Sequence, residues 1–126
     1  MIQAGFLAVL DDGVYGLNFT SCAADEAHRS DGIAVLREGR LLGSDRNGGV
    51  FRGRCLYDAS RGEAVVEVRL AVPPHGVLLT GQEAGPDGAT IDVALRFPPP
   101  KPVSQAVVDI AGAPVEVELR FMGPLV

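Results

Sequence analysis

The chain has 126 residues, of which 47% are hydrophobic and 21% charged, and its formal net charge is −5. This balance predicts one globular domain spanning residues 1–126 and excludes a disordered acidic tail. Ten arginines and one lysine are scattered singly along the chain, which gives no basic stripe for phosphates, so we expect no nucleic-acid partner.

The amino terminus is apolar but does not have the pattern of a targeting segment. MIQAGFLAVL lacks a basic start and runs directly into Asp11 and Asp12, unlike a signal peptide or a membrane span. Cys22 and Cys55 lie too far apart for a C-x-x-C motif, and the two cysteines and two histidines show no zinc-ligand spacing. Cys55 lies in a strand-like run, which favours a small buried core residue over a nucleophile. We expect a cytoplasmic protein with no metal site and no membrane partner.

Short runs of branched and aromatic residues divide the first half of the chain into strands. In chain order these runs are GVYGLNFT, GIAVLRE, RLLGSD and GVFRGRCLY. Their composition is typical of strands. Glu38–Gly39 suits a two-residue hairpin between the second and third runs, and Asn47–Gly48 is a favoured type I′ pair between the third and fourth.

The second half shows the clearest alternation of apolar and polar residues. EAVVEVRLAV, TIDVALRF and PVEVELRF have a period of two, and VSQAVVDI supplies a further strand. The alternation indicates strands with one buried face. It predicts that the following side chains point inward: Val66, Val68, Leu70, Ile91, Val93, Leu95, Val115, Val117 and Leu119. About eight strands with short turns predict an all-β fold, an antiparallel up-and-down β-barrel, with a β-sandwich as the alternative.

Two connections are longer than a tight turn. Residues 73–88, PPHGVLLTGQEAGPDG, place prolines and glycines around a short apolar run, so they form a loop with one strand or one helical turn, placed where it can cover a barrel mouth. Residues 98–102, PPPKP, predict a stiff connector rather than a ligand for an SH3-type domain.

The stretch LLGSDRNGGVFRG, residues 41–53, has the glycine content of a phosphate-binding loop. A P-loop ends in lysine followed by serine or threonine and opens a helix, whereas this stretch continues into the strand-like VFRGRCLY. We interpret its glycines as corner residues, with Gly43 and Gly53 at bends or close backbone approaches inside strands.

No group of residues in the sequence predicts catalysis. His28 and His75 both lie in turn-like sequence. Asp25, Glu26 and Asp31 near His28 favour a solvated loop over a metal or acid–base cluster. The G-x-S-x-G nucleophile motif is absent, so we predict a non-enzymatic protein with no catalytic residues and no cofactor.

Residues 12–72 contain three short motifs, DGVYGLNF, GIAVLREGRLLGSD and FRG. They resemble the D-G-x-Y-x-x-x-F opening, the glycine-glycine-aspartate hairpin and the aromatic-x-Gly of the GrlR family, whose members are negative regulators of type III secretion. The matching positions are Asp12, Gly13, Tyr15, Phe19, Gly32, Ile33, Gly39, Gly43, Asp45, Phe51 and Gly53. Ser44 replaces the second glycine of the hairpin, and Phe51 stands where tyrosine is commoner.

This resemblance implies an eight-stranded, lipocalin-like barrel that forms a homodimer and regulates by binding a protein. In the family's characterised member an acidic surface loop, Glu-Asp-Glu-Asp, binds a transcriptional activator. The corresponding turn here is DASRGE, residues 58–63, which makes Asp58, Arg61 and Glu63 the expected partner-binding loop. Arg61 gives this turn a weaker negative potential toward a basic partner.

A second functional hypothesis follows from the predicted inward faces. The interior of an eight-stranded barrel can enclose one small apolar ligand, which would make the protein a carrier or sensor of a lipid-like molecule. The alternative is a core filled entirely by its own side chains.

The apolar ends of the chain predict self-association. The residues concerned are Ile2, Phe6, Leu7, Val9 and Leu10 before the first strand, and Met122, Leu125 and Val126 beyond the last. They either plug the barrel ends or contribute to a symmetric homodimer. A standard interface buries about 800 Å² on each partner, so an outer strand face near Ala71 and Ala94 has to contribute. We expect a homodimer at micromolar concentration.

Overall fold

The computed structural model describes residues 10–21, 28–98, 103–110 and 112–125. These residues form eight strands: β1 (Gly13–Ser21), β2 (His28–Arg37), β3 (Arg40–Asp45), β4 (Val50–Asp58), β5 (Glu63–Val72), β6 (Ala89–Phe97), β7 (Val103–Ile110) and β8 (Ala113–Gly123). All eight predicted strands are confirmed, and the described ranges contain no helix. The predictions that concern residues 1–9, Cys22, Asp25, Glu26, residues 99–102 and Val126 lie outside the described residues.

The eight strands form a single sheet that curls into a nearly closed barrel. The strand order is β6-β5-β4-β3-β2-β1-β8-β7, with antiparallel pairing at each ladder. Cα atoms of β6 and β7 approach within 8 Å across the remaining gap. The predicted up-and-down antiparallel barrel is therefore confirmed, and one continuous sheet rules out the two-sheet sandwich.

The strand alternation places the core inside this barrel. On β5, Val66 and Leu70 are buried while the intervening Arg69 is exposed. Val66 lies opposite Cys55 of β4 and Leu95 of β6, so the buried residues of neighbouring strands form continuous rows. Complete burial of one valine or leucine side chain contributes about 1.5–3 kcal/mol, which makes these rows the main source of stability.

The turn at Glu38–Gly39 confirms the predicted hairpin. Both residues have positive φ, +50° for Glu38 and +80° for Gly39, as a type I′ turn requires. The N–H of Glu38 donates to the carboxylate of Asp12 at 3.1 Å. This contact joins the segment before β1 to the hairpin.

The type I′ prediction for Asn47–Gly48 is wrong. Four residues separate β3 from β4, and among them only Gly48 has positive φ, +88°. Oδ1 of Asp45 accepts 2.8 Å hydrogen bonds from the N–H groups of Asn47 and Gly49. An aspartate side chain that bonds the backbone two residues ahead defines its own turn, and it displaces the tighter hairpin.

Gly43 and Gly53 fit the prediction of close backbone approach. A Cβ added at Gly43 would lie 2.5 Å from the carbonyl oxygen of Ile33, and one at Gly53 would lie 2.7 Å from Cα of Val68. Any larger residue would force neighbouring strands apart at these points.

Candidate functional site

The barrel encloses a small cavity with an entirely apolar lining. Its volume is about 60 Å³. The lining side chains come from all eight strands and from the connection between β5 and β6: Leu17, Phe19, Ala34, Leu41, Phe51, Val66, Val68, Leu70, Leu79, Val93, Leu95, Phe97, Val108, Ile110, Val117 and Leu119. Such a site can hold hydrocarbon but offers its occupant no hydrogen bond.

Most of the sequence-predicted interior residues line this cavity. Seven of the nine do so: Val66, Val68, Leu70, Val93, Leu95, Val117 and Leu119. Ile91 packs against the core while only partly buried, and Val115 is fully buried. These two residues occupy inward positions outside the lining.

Sequence reasoning missed the aromatic part of the lining. The rings of Phe19 and Phe51 lie with their centroids 5.6 Å apart, and both line the cavity. The signal was present in the first half of the chain, because Tyr15, Leu17 and Phe19 alternate along one face of β1. The irregular pattern around the glycines of β4 obscured Phe51.

The connection between β5 and β6 covers one mouth of the barrel, as expected. Within it, residues 76–84 form a short hairpin, the lid hairpin, held by hydrogen bonds from Leu78 N–H to the carbonyl of Gln82, 2.8 Å, and from Ala84 N–H to the carbonyl of Gly76, 2.7 Å. Leu79 is 2% exposed and lines the cavity. The lid hairpin therefore packs over the apolar interior at this mouth of the barrel.

Polar side chains gather beneath the lid hairpin. Ser21 of β1 is opposite His28 of β2, and Ser30 is the next inward residue along β2. Asp45 of β3 is opposite Gly32 of β2. Each of these four side chains has one buried polar atom without a hydrogen-bond partner among the described residues: Ser21 Oγ, His28 Nε2, Ser30 Oγ and Asp45 Oδ2. We call these four residues the polar cluster.

The opposite mouth carries a different arrangement. The hydroxyl of Tyr15 donates to the carbonyl of Asp11 at 2.6 Å, and burial raises the pKa of this phenol. Burial likewise raises the pKa of the Cys55 thiol, which lies in the core as predicted and is not activated as a nucleophile. Leu10 is buried beside them, so at least this residue of the amino-terminal segment packs into the core.

The predicted partner-binding loop is tied to the neighbouring strand. Nη1 of Arg96 donates to Asp58 Oδ2 at 2.8 Å and to Glu63 Oε1 at 3.4 Å. The structure brings these two carboxylates to one guanidinium and leaves Arg61 exposed. The negative potential that remains for a basic partner is therefore small.

The outer face of β2–β5 carries an exposed apolar patch. Val35 lies opposite Leu42, and Val50 lies opposite Ala71. Ser44 of β3 stands between Ile33 of β2 and Val50 of β4 and is opposite both. Leu42 is 53% exposed and Ile33 48%. We call these five residues, Ile33, Val35, Leu42, Val50 and Ala71, the outer patch. It includes Ala71, near which the sequence predicts that an outer strand face contributes to a dimer.

Ala94, the other residue near which the sequence predicts a contributing outer face, lies outside the outer patch. Ala94 lies opposite Glu67, which is paired with Arg54 at 3.0 Å. Ala94 is therefore surrounded by charge. Met122, near the end of β8, and Leu125, just after β8, are both exposed. They lie several strands away from Ala71 in the sheet.

Strand register also brings together arginines that are distant in sequence. Arg40 lies directly opposite Arg37 on one side and Arg54 on the other. Sequence reasoning missed this row of arginines, because the register between strands cannot be read from the spacing of residues within single strands. Like charges in directly opposed positions destabilise a sheet.

The histidines do not form a metal or acid–base site among the described residues. His28 begins β2 and is half-buried rather than part of a solvated loop. Asp31, which the sequence placed near it, points outward and pairs with Arg46 at 2.8 Å. His75 lies in a turn with φ +58°, 3.8 Å from Glu83. The described ranges contain no group of three potential metal ligands.

These features define a small β-barrel with an apolar interior and one polar mouth. Comparison with protein-family models, with curated proteins and with solved structures finds no match to this chain. Among the described residues there is no helix that is long and apolar enough to cross a membrane.

Proposed function

We propose that this protein binds one slender apolar ligand inside its barrel and acts as a non-enzymatic, cytoplasmic carrier or sensor of that ligand. The observation that carries this proposal is the cavity whose lining contains no polar atom. A dry apolar cavity favours hydrocarbon over water, because water would lose its hydrogen bonds there. A ligand that enters also restores the dispersion contacts that the lining side chains lack.

The size of the cavity limits the shape of the ligand. Its volume of about 60 Å³ is less than half of the roughly 150 Å³ of an engineered cavity that binds benzene. Neither a ring nor a long hydrocarbon chain fits this volume without rearrangement. The proposed ligand is an unbranched hydrocarbon chain, because its narrow cross-section needs the least widening of the interior, and part of it displaces Leu79 as it enters beneath the lid hairpin.

Octane is the simplest probe of this proposal, because it has no polar group. Its binding is measured by equilibrium partition between headspace and protein solution. Val93→Leu combined with Val117→Leu adds one methylene at each of two lining positions, which fills the cavity at a modest cost in strain. Val107→Leu makes the same change on the outside of β7, where residue 107 is 69% exposed.

We expect octane to bind the wild-type protein and the Val107→Leu variant equally. We expect it to bind the double variant, Val93→Leu with Val117→Leu, at least tenfold more weakly. Circular dichroism and urea denaturation establish that each variant is folded. Absence of octane binding to the folded wild-type protein would contradict the proposal, and so would equal binding to all three proteins.

A second candidate function is regulation through protein binding, as in the GrlR-like proteins that the sequence resembles. The outer patch supports it, since contiguous exposed apolar side chains on a sheet mark surfaces that bury themselves against a partner. We propose that a second copy of the chain covers the outer patch in a symmetric homodimer. The predicted activator-binding role of residues 58–63 has weaker support, because Arg96 neutralises two of its carboxylates.

Light scattering at micromolar concentration tests the dimer. We expect a dimer mass for the wild-type protein and a monomer mass for Leu42→Glu, which buries a charge in the interface. Val107→Glu places the same charge at an exposed apolar position outside the outer patch and should leave the dimer intact. A monomer mass for the wild-type protein would refute this candidate.

A further inference from the structure

The polar cluster lies where a ligand in the cavity would place its end. Ser30 faces Phe19 across the β1–β2 ladder, and Phe19 lines the cavity. On the other side, a Cβ added at Gly49 would touch both Asp45 Oδ2, at 2.6 Å, and Cδ1 of the lining residue Leu70, at 3.2 Å. The polar cluster therefore adjoins the apolar lining without interruption.

The same short hairpin covers both the cavity and the polar cluster. Leu79 lines the cavity, and two residues later the backbone of Gly81 packs on the imidazole of His28, so that a Cβ there would lie 2.9 Å from Nδ1. A ligand that extends from the cavity toward the lid hairpin thus meets the polar cluster before it meets solvent.

The side chains of the polar cluster are buried deeply enough to need a partner. Ser21 is fully buried, Ser30 is 6% exposed and Asp45 is 7% exposed. Buried polar atoms are nearly always hydrogen-bonded, and those that are not point to strain, a bound group or a catalytic role. All four such atoms among the described residues lie within a few residues of register of one another, so they face one shared position at this mouth of the barrel.

Their chemistry specifies the group that they would accept. Oδ1 of Asp45 already accepts two backbone hydrogen bonds, which leaves Oδ2 as a pure acceptor. The serine hydroxyls both donate and accept, and an imidazole nitrogen does either according to its tautomer. A ligand group that donates a hydrogen bond would supply the missing partner of Asp45 Oδ2. A ligand carboxylate would instead bring a second negative charge close to that of the Asp45 carboxylate.

We propose that the polar cluster binds the hydrogen-bond-donating head of an amphipathic ligand, a hydroxyl or an ammonium group, while its hydrocarbon chain occupies the cavity. This inference rests on the proposed function, since it assigns the head of the same ligand. It names the ligand class as a long-chain alcohol or amine and excludes the corresponding fatty acid.

Four probes of equal chain length separate the contributions of chain and head: octane, 1-octanol, octylamine and octanoate. Calorimetric titration measures the three soluble probes, and headspace partition measures octane and 1-octanol, so that 1-octanol links the two methods. We expect 1-octanol or octylamine to bind at least tenfold more tightly than octane, and octanoate to bind more weakly than both.

Substitutions within the polar cluster identify the contacts. Ser30→Ala should lower the affinity for 1-octanol and octylamine about tenfold relative to that for octane, while the affinity for octane stays unchanged. Asp45→Asn keeps the Oδ1 acceptor that the β3–β4 turn uses and should reduce the affinity for octylamine more than that for 1-octanol. Ser44→Ala, on the outward side of β3, is the control and should change neither affinity.

The outcomes distinguish the two proposals. If the folded protein binds none of the four probes, the proposed function itself fails. If all four bind equally, or Ser30→Ala leaves the head preference intact, the chain site stands and the head site is refuted, with water as the occupant of the polar cluster. If octanoate binds more tightly than the other three probes, the head site is also refuted. If the preference for the head is lost in Ser30→Ala and kept in Ser44→Ala, the head site is established.

Discussion

Gly81 lies directly against His28, so that a Cβ atom added at Gly81 would stand 2.9 Å from the imidazole Nδ1. Gly81 also has a left-handed backbone, φ +86°, which non-glycine residues adopt at a cost. Both properties arise from the tight turn in which Gly81 N–H donates to the carbonyl of Leu78 at 2.9 Å. Gly81 therefore contributes to the seating of the lid hairpin, together with the buried side chain of Leu79.

Gly81→Ala is expected to lift the lid hairpin from the barrel mouth. The left-handed conformation alone costs about 1 kcal/mol, and the contact with His28 adds to it. Gly112→Ala is the matched control, because Gly112 has the same φ of +86° but nothing within 4 Å of its added Cβ. Hydrogen exchange of the Leu78 and Ala84 amides should accelerate in Gly81→Ala only, and equal acceleration in both variants would show that the contact has no effect.

Ser21→Ala is expected to stabilise the ligand-free protein. The Ser21 hydroxyl is fully buried and has no partner among the described residues, and removal of an unsatisfied buried polar group recovers about 1 kcal/mol. Urea denaturation measures the change, and Ser44→Ala on the solvent side should stay within about 0.5 kcal/mol of wild type. A loss of stability in Ser21→Ala would mean that the hydroxyl is hydrogen-bonded.

The carboxylate of Asp58 should contribute to acid sensitivity. The hydroxyl of Ser60 donates to it at 2.6 Å and Arg96 at 2.8 Å, and these contacts lower the pKa of Asp58 to about 2. In the unfolded chain an aspartate titrates at about 3.9. Because the folded pKa is the lower one, the stabilisation is present above about pH 4 and is lost as the pH falls toward 2.

Asp58→Asn should therefore lower the urea midpoint at pH 7 and flatten its fall between pH 4 and pH 2. Asp109→Asn, at an exposed position on β7, serves as the control and should follow the wild-type curve. An unchanged acid slope in Asp58→Asn would contradict the assignment.

Arg40→Glu should raise the melting temperature. Arg40 faces Arg37 and Arg54 in directly opposed positions, so the substitution replaces two repulsive pairs with two attractive ones. High salt should shrink the gain, because these side chains are exposed and screened. Arg120→Glu reverses an ion pair with Glu118, 3.6 Å, and should lower the melting temperature. Equal effects of both substitutions would refute this explanation.

The sequence predicted the barrel well because its dominant signal is local. Alternation along β5, β6 and β8 determines which side chains point inward, and the Glu38–Gly39 turn follows from two adjacent residues. The same local reasoning misplaced the Asn47–Gly48 turn, since it did not account for the Asp45 side chain bonding to the backbone. It also treated His28 as a loop residue, because the polar start of β2 has no apolar alternation.

The candidate site was predicted only in part, because its polar half depends on register between strands. Ser21, His28, Ser30 and Asp45 come from three strands, and none of them stands out within its own strand. The pairing of β1 with β2 and of β2 with β3 brings them together. The arginine row on the outer face was missed for the same reason.

β6 and β7 are the two edge strands of the sheet, and the gap between them is the side of the barrel that can open. Among the described residues no backbone ladder joins these two strands, whereas every other neighbouring pair is joined. Val93, Leu95 and Phe97 on one side and Val108 and Ile110 on the other line the cavity at this point. The two strands can therefore move apart there without breaking a ladder hydrogen bond, so the volume available to a ligand is adjustable along one side and fixed along the rest.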